Sequence, residues 1–402
     1  MKRLMLLGGT RYTVAAIEAA HSIPGGVHVI TADYLPGNIA HKYSDEYCNV
    51  NITDPIAVLE AANSLKIDGI ISFATDPGVI SAAYVADQMG LPMPAPYESV
   101  VIMQNKDKFR DFLEQNGFNT PKHMGFKSKQ EAIDNIDKFT YPIIVKPVDS
   151  AGSKGVKRVD SIKELDEAID NAIANSIFGR FIIEQFIEMI GSQSGSDSFV
   201  KNGKLVLTTF DRQYYDRSSA NPFTPSAMCY PSDMPNEVQA QLKEDIQRAC
   251  TLLKIGTTII NVECRLGTDG KPYIMELSPR AGGNRVPEIV RLATGTDIIL
   301  NNVKAALGLP VDDMKEAVYD GSYARVVLHA ENCGRFKSVT VDPEVAEKFL
   351  IEKDLFVSEG DIVSSFTGAN KSLGLLFMHF PDIETADYYL NRVKEWIRIE
   401  IE

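Results

Sequence analysis

The residues with the clearest chemical potential lie in two short runs. These are Ile259-Ile260-Asn261-Val262-Glu263-Cys264-Arg265 and Pro272-Tyr273-Ile274-Met275-Glu276-Leu277-Ser278, separated by Gly267-Thr268-Asp269-Gly270. Strand-forming residues on either side of a glycine-bearing turn read as an antiparallel hairpin. Residues two apart on a strand share a face, so Asn261, Glu263 and Arg265 point one way. Ile274, Glu276 and Ser278 share a face of the second strand. With the turn centred on Thr268-Asp269, Glu263 faces Ile274 and Asn261 faces Glu276, and the two glutamates are diagonal neighbours about 7 Å apart. Two carboxylates that close repel unless a cation joins them. Magnesium takes oxygen ligands and is commonly held by one or two carboxylates plus phosphate oxygens. The bland alternative is a solvated face whose glutamates pair with Arg265 or a lysine. Against it stands the segment Pro279-Arg280-Ala281-Gly282-Gly283-Asn284-Arg285, which puts two arginines and a flexible turn directly after the carboxylate strand. A guanidinium grips phosphate or carboxylate as a fork.

Lys146 interrupts the apolar run Ile143-Ile144-Val145-Lys146-Pro147. A charge there costs free energy unless it is used. The loop that follows, Asp149-Ser150-Ala151-Gly152-Ser153-Lys154-Gly155, offers backbone N–H groups and small hydroxyls that suit phosphate oxygens. Its spacing is not that of a Walker loop, and on its own an ordinary turn reads equally well. Lys106 opens a helix, where a lysine is usually just solvated. Candidates for holding a substrate are Asp76 in Thr75-Asp76-Pro77-Gly78, Arg212 with Tyr214, Tyr215 and Arg217, and Asn284-Arg285. The arginines suit a negatively charged acceptor. Each of these residues also has a plain reading as a polar loop residue.

The elements that must position these groups follow from periodicity. Residues 1 to about 100 alternate strand signals (4–7, 27–30, 69–73) with helical ones (57–65, 79–89), which predicts a parallel sheet with helices on its faces. Gly8-Gly9 raises a dinucleotide-binding alternative. That fingerprint needs further glycines where Thr10 and Thr13 stand, so it is set aside. Further on, helices are predicted over 106–115, 162–175, 238–253 and 286–293. Strands are predicted over 142–148 and 180–184, with a hairpin over 198–210 turning at Asn202-Gly203. Residues 211–235 show no clear period. A loop of that length usually has a job, and together with 150–155 it is a candidate lid. The tail from about 320 reads as short strands closing with a helix over 383–396.

Composition bounds the rest. The chain has 402 residues, is 44% hydrophobic and 24% charged, and carries a net charge of −13. Such a balance argues against a surface built for nucleic acid, which needs basic stripes. No run approaches the roughly 18 apolar residues of a membrane span. The opening Met1-Lys2-Arg3 followed by 4–7 is too short for a signal peptide. Five scattered cysteines with no CxxC pair predict reduced thiols and a cytoplasmic protein.

In this order the motifs resemble the ATP-grasp superfamily. They are Asn105-Lys106; Ile144-Val145-Lys146-Pro147 with Ser150 to Gly155; Ile182-Ile183-Glu184-Gln185-Phe186-Ile187; Asn261-Val262-Glu263; and Met275-Glu276-Leu277-Ser278-Pro279-Arg280-Ala281-Gly282-Gly283. Within the superfamily the chain looks similar to carboxylate–amine ligases and the carbamoyl-phosphate synthetase large chain. The resemblance implies an α/β fold, α+β in part. Its units would be an N-terminal Rossmann-like parallel-sheet domain (1–103), a small lid (104–189), a large antiparallel-sheet subdomain with the metal site (190–312) and a small C-terminal mixed domain (313–402). It also implies roles. Lys106 and Lys146 would contact ATP phosphates, and Ser150, Gly152, Ser153 and Gly155 would fold over them. Glu184 would sit at the adenine edge, with the backbone of Gln185 and Ile187 on the ring. Glu263 and Glu276 would hold Mg²⁺ or Mn²⁺, and Arg280 would steady the transferring phosphoryl group. The sequence departs from the family at Ser278, where an asparagine ligand is usual, and at Gln193, the nearest match to a ribose-binding glutamate.

The expected chemistry is an ATP-dependent ligation. A small-molecule carboxylate is phosphorylated and the acyl phosphate meets an amine or ammonia, with no nucleic-acid or membrane partner. A homodimer is compatible with this. The rivals are an enzyme that stops at a phosphorylated product and a non-catalytic nucleotide binder. The second carboxylate argues against a pure binder.

Overall fold

The computed structural model describes residues 1–150 and 152–402; Ala151, inside the expected phosphate loop, lies outside the described residues. The chain begins with the strand Lys2–Leu7, whose last four side chains are fully buried. Such an unbroken apolar run suits a parallel strand covered on both faces. It pairs in parallel with Val27–Asp33 on one side and Gly69–Ile71 on the other, and Glu46–Asn49 completes the sheet beyond Val27–Asp33. The helix Pro55–Leu65 starts where the Asp54 carboxylate accepts from the amides of Ile56 and Ala57, with proline at the first helical position. Strands Lys2–Leu7 and Gly69–Ile71 end side by side. Gly8 has φ +99°, and a Cβ there would come within 2.6 Å of Thr75 Oγ1. Glycine is what lets the segments after these two strands approach.

A second, antiparallel sheet has the order His123–Phe126, Phe181–Gln185, Ile143–Pro147, Lys157–Val159. Helices Lys129–Asn135 and Ile162–Ala174 cover it, and it has its own core around Phe126, Val145, Leu165, Ile169 and Phe181. Helix Lys106–Gln115 belongs to a different core. Its Phe109 and Leu113 pack with Ile246, Ile260 and Ile274 of the central sheet. That sheet runs Lys204–Leu207, Met189–Lys201, Thr258–Gly267, Pro272–Ser278 and is backed by the helix Asn236–Leu252.

Two expectations are corrected. Residues 211–235 are not a bare loop. They supply the strands Arg212–Tyr215 and Pro225–Tyr230 to a five-stranded antiparallel sheet with Ser322–His329, Ser372–Phe380 and Leu350–Leu355. Ala227, Met228, Cys229 and Tyr230 are all buried, so the second strand has no polar face and shows no alternation. The helix expected over 383–396 breaks at Asn391-Arg392 into Ile383–Leu390 and Val393–Trp396. The chain then finishes as the strand Ile397–Ile401, paired with Gly334–Val341. The five-stranded sheet draws strands from both sides of residue 313. Among the described residues, no helix is long and apolar enough to cross a membrane.

Candidate active site

The carboxylate hairpin forms between Thr258–Gly267 and Pro272–Ser278, with a tight turn closed by the Gly270 amide on Gly267 O at 2.9 Å. Its register differs from the one expected. Glu263 lies directly opposite Glu276 and Asn261 opposite Ser278. The turn pairs Cys264 with Ile274, one residue off the expected register, and a bulge then leaves Met275 without a partner on the ladder. The extra residue of a bulge re-aims its neighbours, and here it moves the partner of Glu263 from Met275 to Glu276. Burial and the nearby Glu276 push the Glu263 carboxyl up to about 7. Burial also acts on Glu276, but Lys106 and Lys146 outweigh it and hold that carboxyl below its usual range. Protein surrounds Glu276 closely, yet 40% of its side-chain surface still meets solvent. Its carboxylate is therefore reachable from solvent.

Lys106 reaches Glu276 Oε1 at 3.1 Å and donates to the backbone oxygen of Ser150 at 2.9 Å. It therefore joins the helix start, the glycine loop and the carboxylate strand. Lys146 pairs with Glu184 Oε2 at 2.9 Å, and the other oxygen of Glu184 lies 2.9 Å from Arg110 Nε, at ion-pair distance but not aligned for a linear hydrogen bond. Arg110 is completely buried and donates to Met275 O at 2.7 Å. Burial alone would raise the Glu184 carboxyl, but Arg110 and Lys146 bring it down to about 2. Burial pulls the Lys146 ammonium below its ordinary value. Glu184 thus presents no free carboxylate at an adenine edge; both of its oxygens are engaged. The Gln185 side chain is turned back onto Thr140 and Pro142, and its backbone amide donates to Lys122 O at 2.8 Å. Ile187 flanks the hairpin turn at Gly267, and Thr268 N donates to Glu188 O at 2.9 Å, which docks the hairpin on the connection from the lid.

Gln193 bridges the site. Its amide donates to Glu263 at 3.3 Å, and its oxygen accepts from Arg265. Ser278 is buried and its hydroxyl accepts from Gln104 at 2.7 Å. The loop residues Gly152 and Gly155 have φ of +67° and +71°. At Gly155 a Cβ would come within 2.8 Å of Pro147. Ser153 also has positive φ, and its hydroxyl meets Phe223 O at 3.4 Å.

Of the substrate candidates, the structure brings some together and parts others. Arg280 pairs with Asp76 at 2.7 Å, joining the carboxylate hairpin's exit to the end of the parallel sheet. Burial opposes the Arg280 charge, but Asp76 outweighs it, so the guanidinium stays protonated. Asn284 and Arg285 are consecutive non-glycine residues at φ +52° and +58°. Strain of this kind persists where surroundings hold it. The holders are Tyr12 on Asn284, Arg325 on Asn284 O at 2.6 Å, and Glu352 and Asp354 on Arg285 at 2.5 and 3.0 Å. Arg285 is thereby paired with carboxylates of the tail. Arg212 is turned away as well, onto Asp387 and Asp233. It lines a groove of about 1490 Å³ that contains neither glutamate of the pair. On the same strand Gln213 and Tyr215 point the other way. Gln213 packs on Gly195, opposite Glu263, and Glu263 raises the Tyr215 hydroxyl further after burial has done so.

Two residues escaped the sequence reading. Arg110 stands one helical turn after Lys106, a spacing that could have flagged it. Asp197 is fully buried. It accepts from the Gly282 amide at 2.9 Å and from Asn261 at 2.8 Å, which pins the turn after Arg280, and burial pushes it up to about 7.

The donor set fits a magnesium ion that phosphate completes. It offers two facing carboxylates, one of them short of positive charge. Among the described residues no group of three or more histidine, cysteine or acidic side chains could hold a metal alone.

Known proteins share this fold. A model of the ATP-grasp domain matches residues 139–288. The carbamoyl phosphate synthase large chain of Clostridium beijerinckii is 22% identical over 319 residues, 77% of this chain and 29% of that protein. The chain therefore spans about a third of that relative's length. Among solved structures, the L-amino acid ligase of Bacillus licheniformis superposes with a TM-score of 0.82 at 21% identity, covering 100% of this chain and 99% of that one. Phosphoribosylglycinamide synthetase of Anaerococcus prevotii gives 0.75 at 20% identity, covering both chains completely. Residues 139–288 thus match the ATP-grasp domain, and the chain has the ATP-grasp fold.

Proposed function

We propose that this protein is an ATP-dependent carboxylate–amine ligase that works through an acyl phosphate. The carrying observation is Glu263 facing Glu276 across one hairpin, with Lys106 on Glu276 and Arg280 four residues beyond. Magnesium held by Glu263 and Glu276 would neutralise charge on the phosphates of ATP. Lys106 and Lys146 would pair with the same phosphates, under the loop 150–155. Asp76 orients Arg280 toward the acceptor, where the guanidinium steadies charge that shifts onto acceptor oxygens. A carboxylate oxygen of the substrate attacks the γ-phosphorus and ADP leaves. The amine, entering neutral, attacks the acyl carbon; phosphate leaves and the nitrogen loses a proton. Phosphoryl transfer asks for positioning and charge neutralisation, which is what these residues offer. Water must be kept from the site in turnover, because it would hydrolyse the acyl phosphate.

The test is ADP release on addition of amino acids, small carboxylates, bicarbonate or amino sugars, each with and without an amine or ammonia. A ligase releases ADP only with the right carboxylate and forms an amide only with the amine. Stoichiometric phosphorylated product with no effect of any amine would replace this reading with a kinase-like one. The bicarbonate-with-ammonia arm tests the carbamoyl-phosphate variant, and the amino-acid arm tests dipeptide formation.

A further inference from the structure

We propose that Arg110 is a positioning residue of the nucleotide site, keeping Lys146 available to phosphate by taking up half of the Glu184 carboxylate. The inference rests on the nucleotide-site reading above. Glu184 offers one oxygen to each cation, Oε1 to Arg110 and Oε2 to Lys146. Without Arg110, both oxygens would belong to Lys146, and the buried pair would be neutral. With it, the triad carries one net positive charge beside Glu276, whose field already reaches Lys146.

Stability does not account for this arrangement. A buried ion pair is often no better than apolar residues of the same shape, and a third buried charge adds desolvation. The outer nitrogen of Arg110, Nη2, has no hydrogen-bond partner among the described residues, which is a further loss. The triad makes sense as a charge reserve. It adjoins Glu276, which is part-exposed, and a ligand phosphate bound there would complete its neutralisation.

The connections of Arg110 also carry geometry. It lies on the face of the helix Lys106–Gln115 that bears Lys106. Through Glu184 it holds the lid strands Phe181–Gln185 and Ile143–Pro147; through Met275 O it holds the strand of Glu276. Arg110 thus sits where the lid strands meet the strand of Glu276, beside both carboxylates.

The experiment is calorimetric titration with a β,γ-imido ATP analogue and magnesium on wild type, Arg110→Met, Glu184→Gln and the double variant. Arg110→Met is expected to bind about tenfold more weakly or worse. Arg110→Met with Glu184→Gln removes one charge of each sign and leaves Lys146 free, so it is expected within about threefold of wild type. That rescue is the signature, because purely structural damage would add. Unchanged affinity in Arg110→Met, or a double variant as weak as the single, overturns the proposal. Should Arg110→Met fail to fold, Arg110→Gln takes its place: weakened binding restored by Glu184→Gln supports the role, and wild-type affinity overturns it. A wild type that binds no analogue sinks the nucleotide-site reading and this proposal together, whereas binding that is indifferent to Arg110 sinks this proposal alone.

Discussion

Lys106 with Glu276 and Lys146 with Glu184 are the same two residue types at nearly the same separation, 3.1 and 2.9 Å. They differ in what surrounds them. The Glu276 side chain keeps 40% of its surface in solvent, whereas Glu184 keeps 3%. The open pair can exchange its partners for a metal ion and phosphates without moving buried charge. The closed pair cannot, and it has Arg110 as a permanent third member. A lysine–glutamate pair is therefore two different devices according to its burial: an exchangeable site open to solvent, and a fixed mount that aims a lysine.

The largest effect expected from breaking this contrast is at the open pair. Glu276→Gln should lower ADP release by roughly 10³-fold, as loss of a preorganised charge contact does. Its melting temperature should move little, since the side chain is part-exposed; activity near wild type would remove Glu276 from the site. At the closed pair the expectation inverts. Glu184→Ala leaves two buried cations without a counter-charge and should cost about 3–5 kcal/mol of stability, measured by denaturant unfolding. A loss below about 1 kcal/mol would mean that the pair is solvated after all.

Acid should separate the two pairs as well. Glu184 titrates at about 2 in the folded chain against the ordinary glutamate value of 4.5, so the folded state binds fewer protons there. Its contribution, on the order of 3 kcal/mol, is present above the higher value and lost as pH falls toward the lower one. Thermal unfolding of wild type should therefore decline more steeply through that window than that of Glu184→Gln. Parallel declines would refute the assignment.

Arg280→Lys sharpens the comparison from the acceptor side. Turnover should fall about 10²-fold while analogue affinity stays within about threefold, because the fork acts on charge that moves during transfer. Equal losses in both would make Arg280 a ground-state anchor. The smallest effect is expected for Lys146→Ala, about tenfold in analogue affinity. Unchanged affinity would place this lysine on a structural face.

Much of this was legible in residue order. The hairpin, its two glutamates, the lysine in an apolar strand and the helix Lys106–Gln115 each follow from local periodicity and turn residues. Strand Pro225–Tyr230 was not legible, because burial on both faces erases alternation. Nor was the break at Asn391-Arg392, where the apolar pattern runs on through two short helices.

By itself the sequence determined which groups exist and which face of its own element each one takes, since side-chain direction within a helix or strand is set by backbone geometry over a few residues. The tertiary structure decided which charges meet. The turn register and a bulge together made the glutamates face each other, Arg280 met Asp76 while Arg212 and Arg285 went to acids of the tail, and Arg110 reached an oxygen 165 residues away. Such pairings depend on long-range packing of separate elements and on the desolvation that packing imposes, and neither quantity is written in any local spacing.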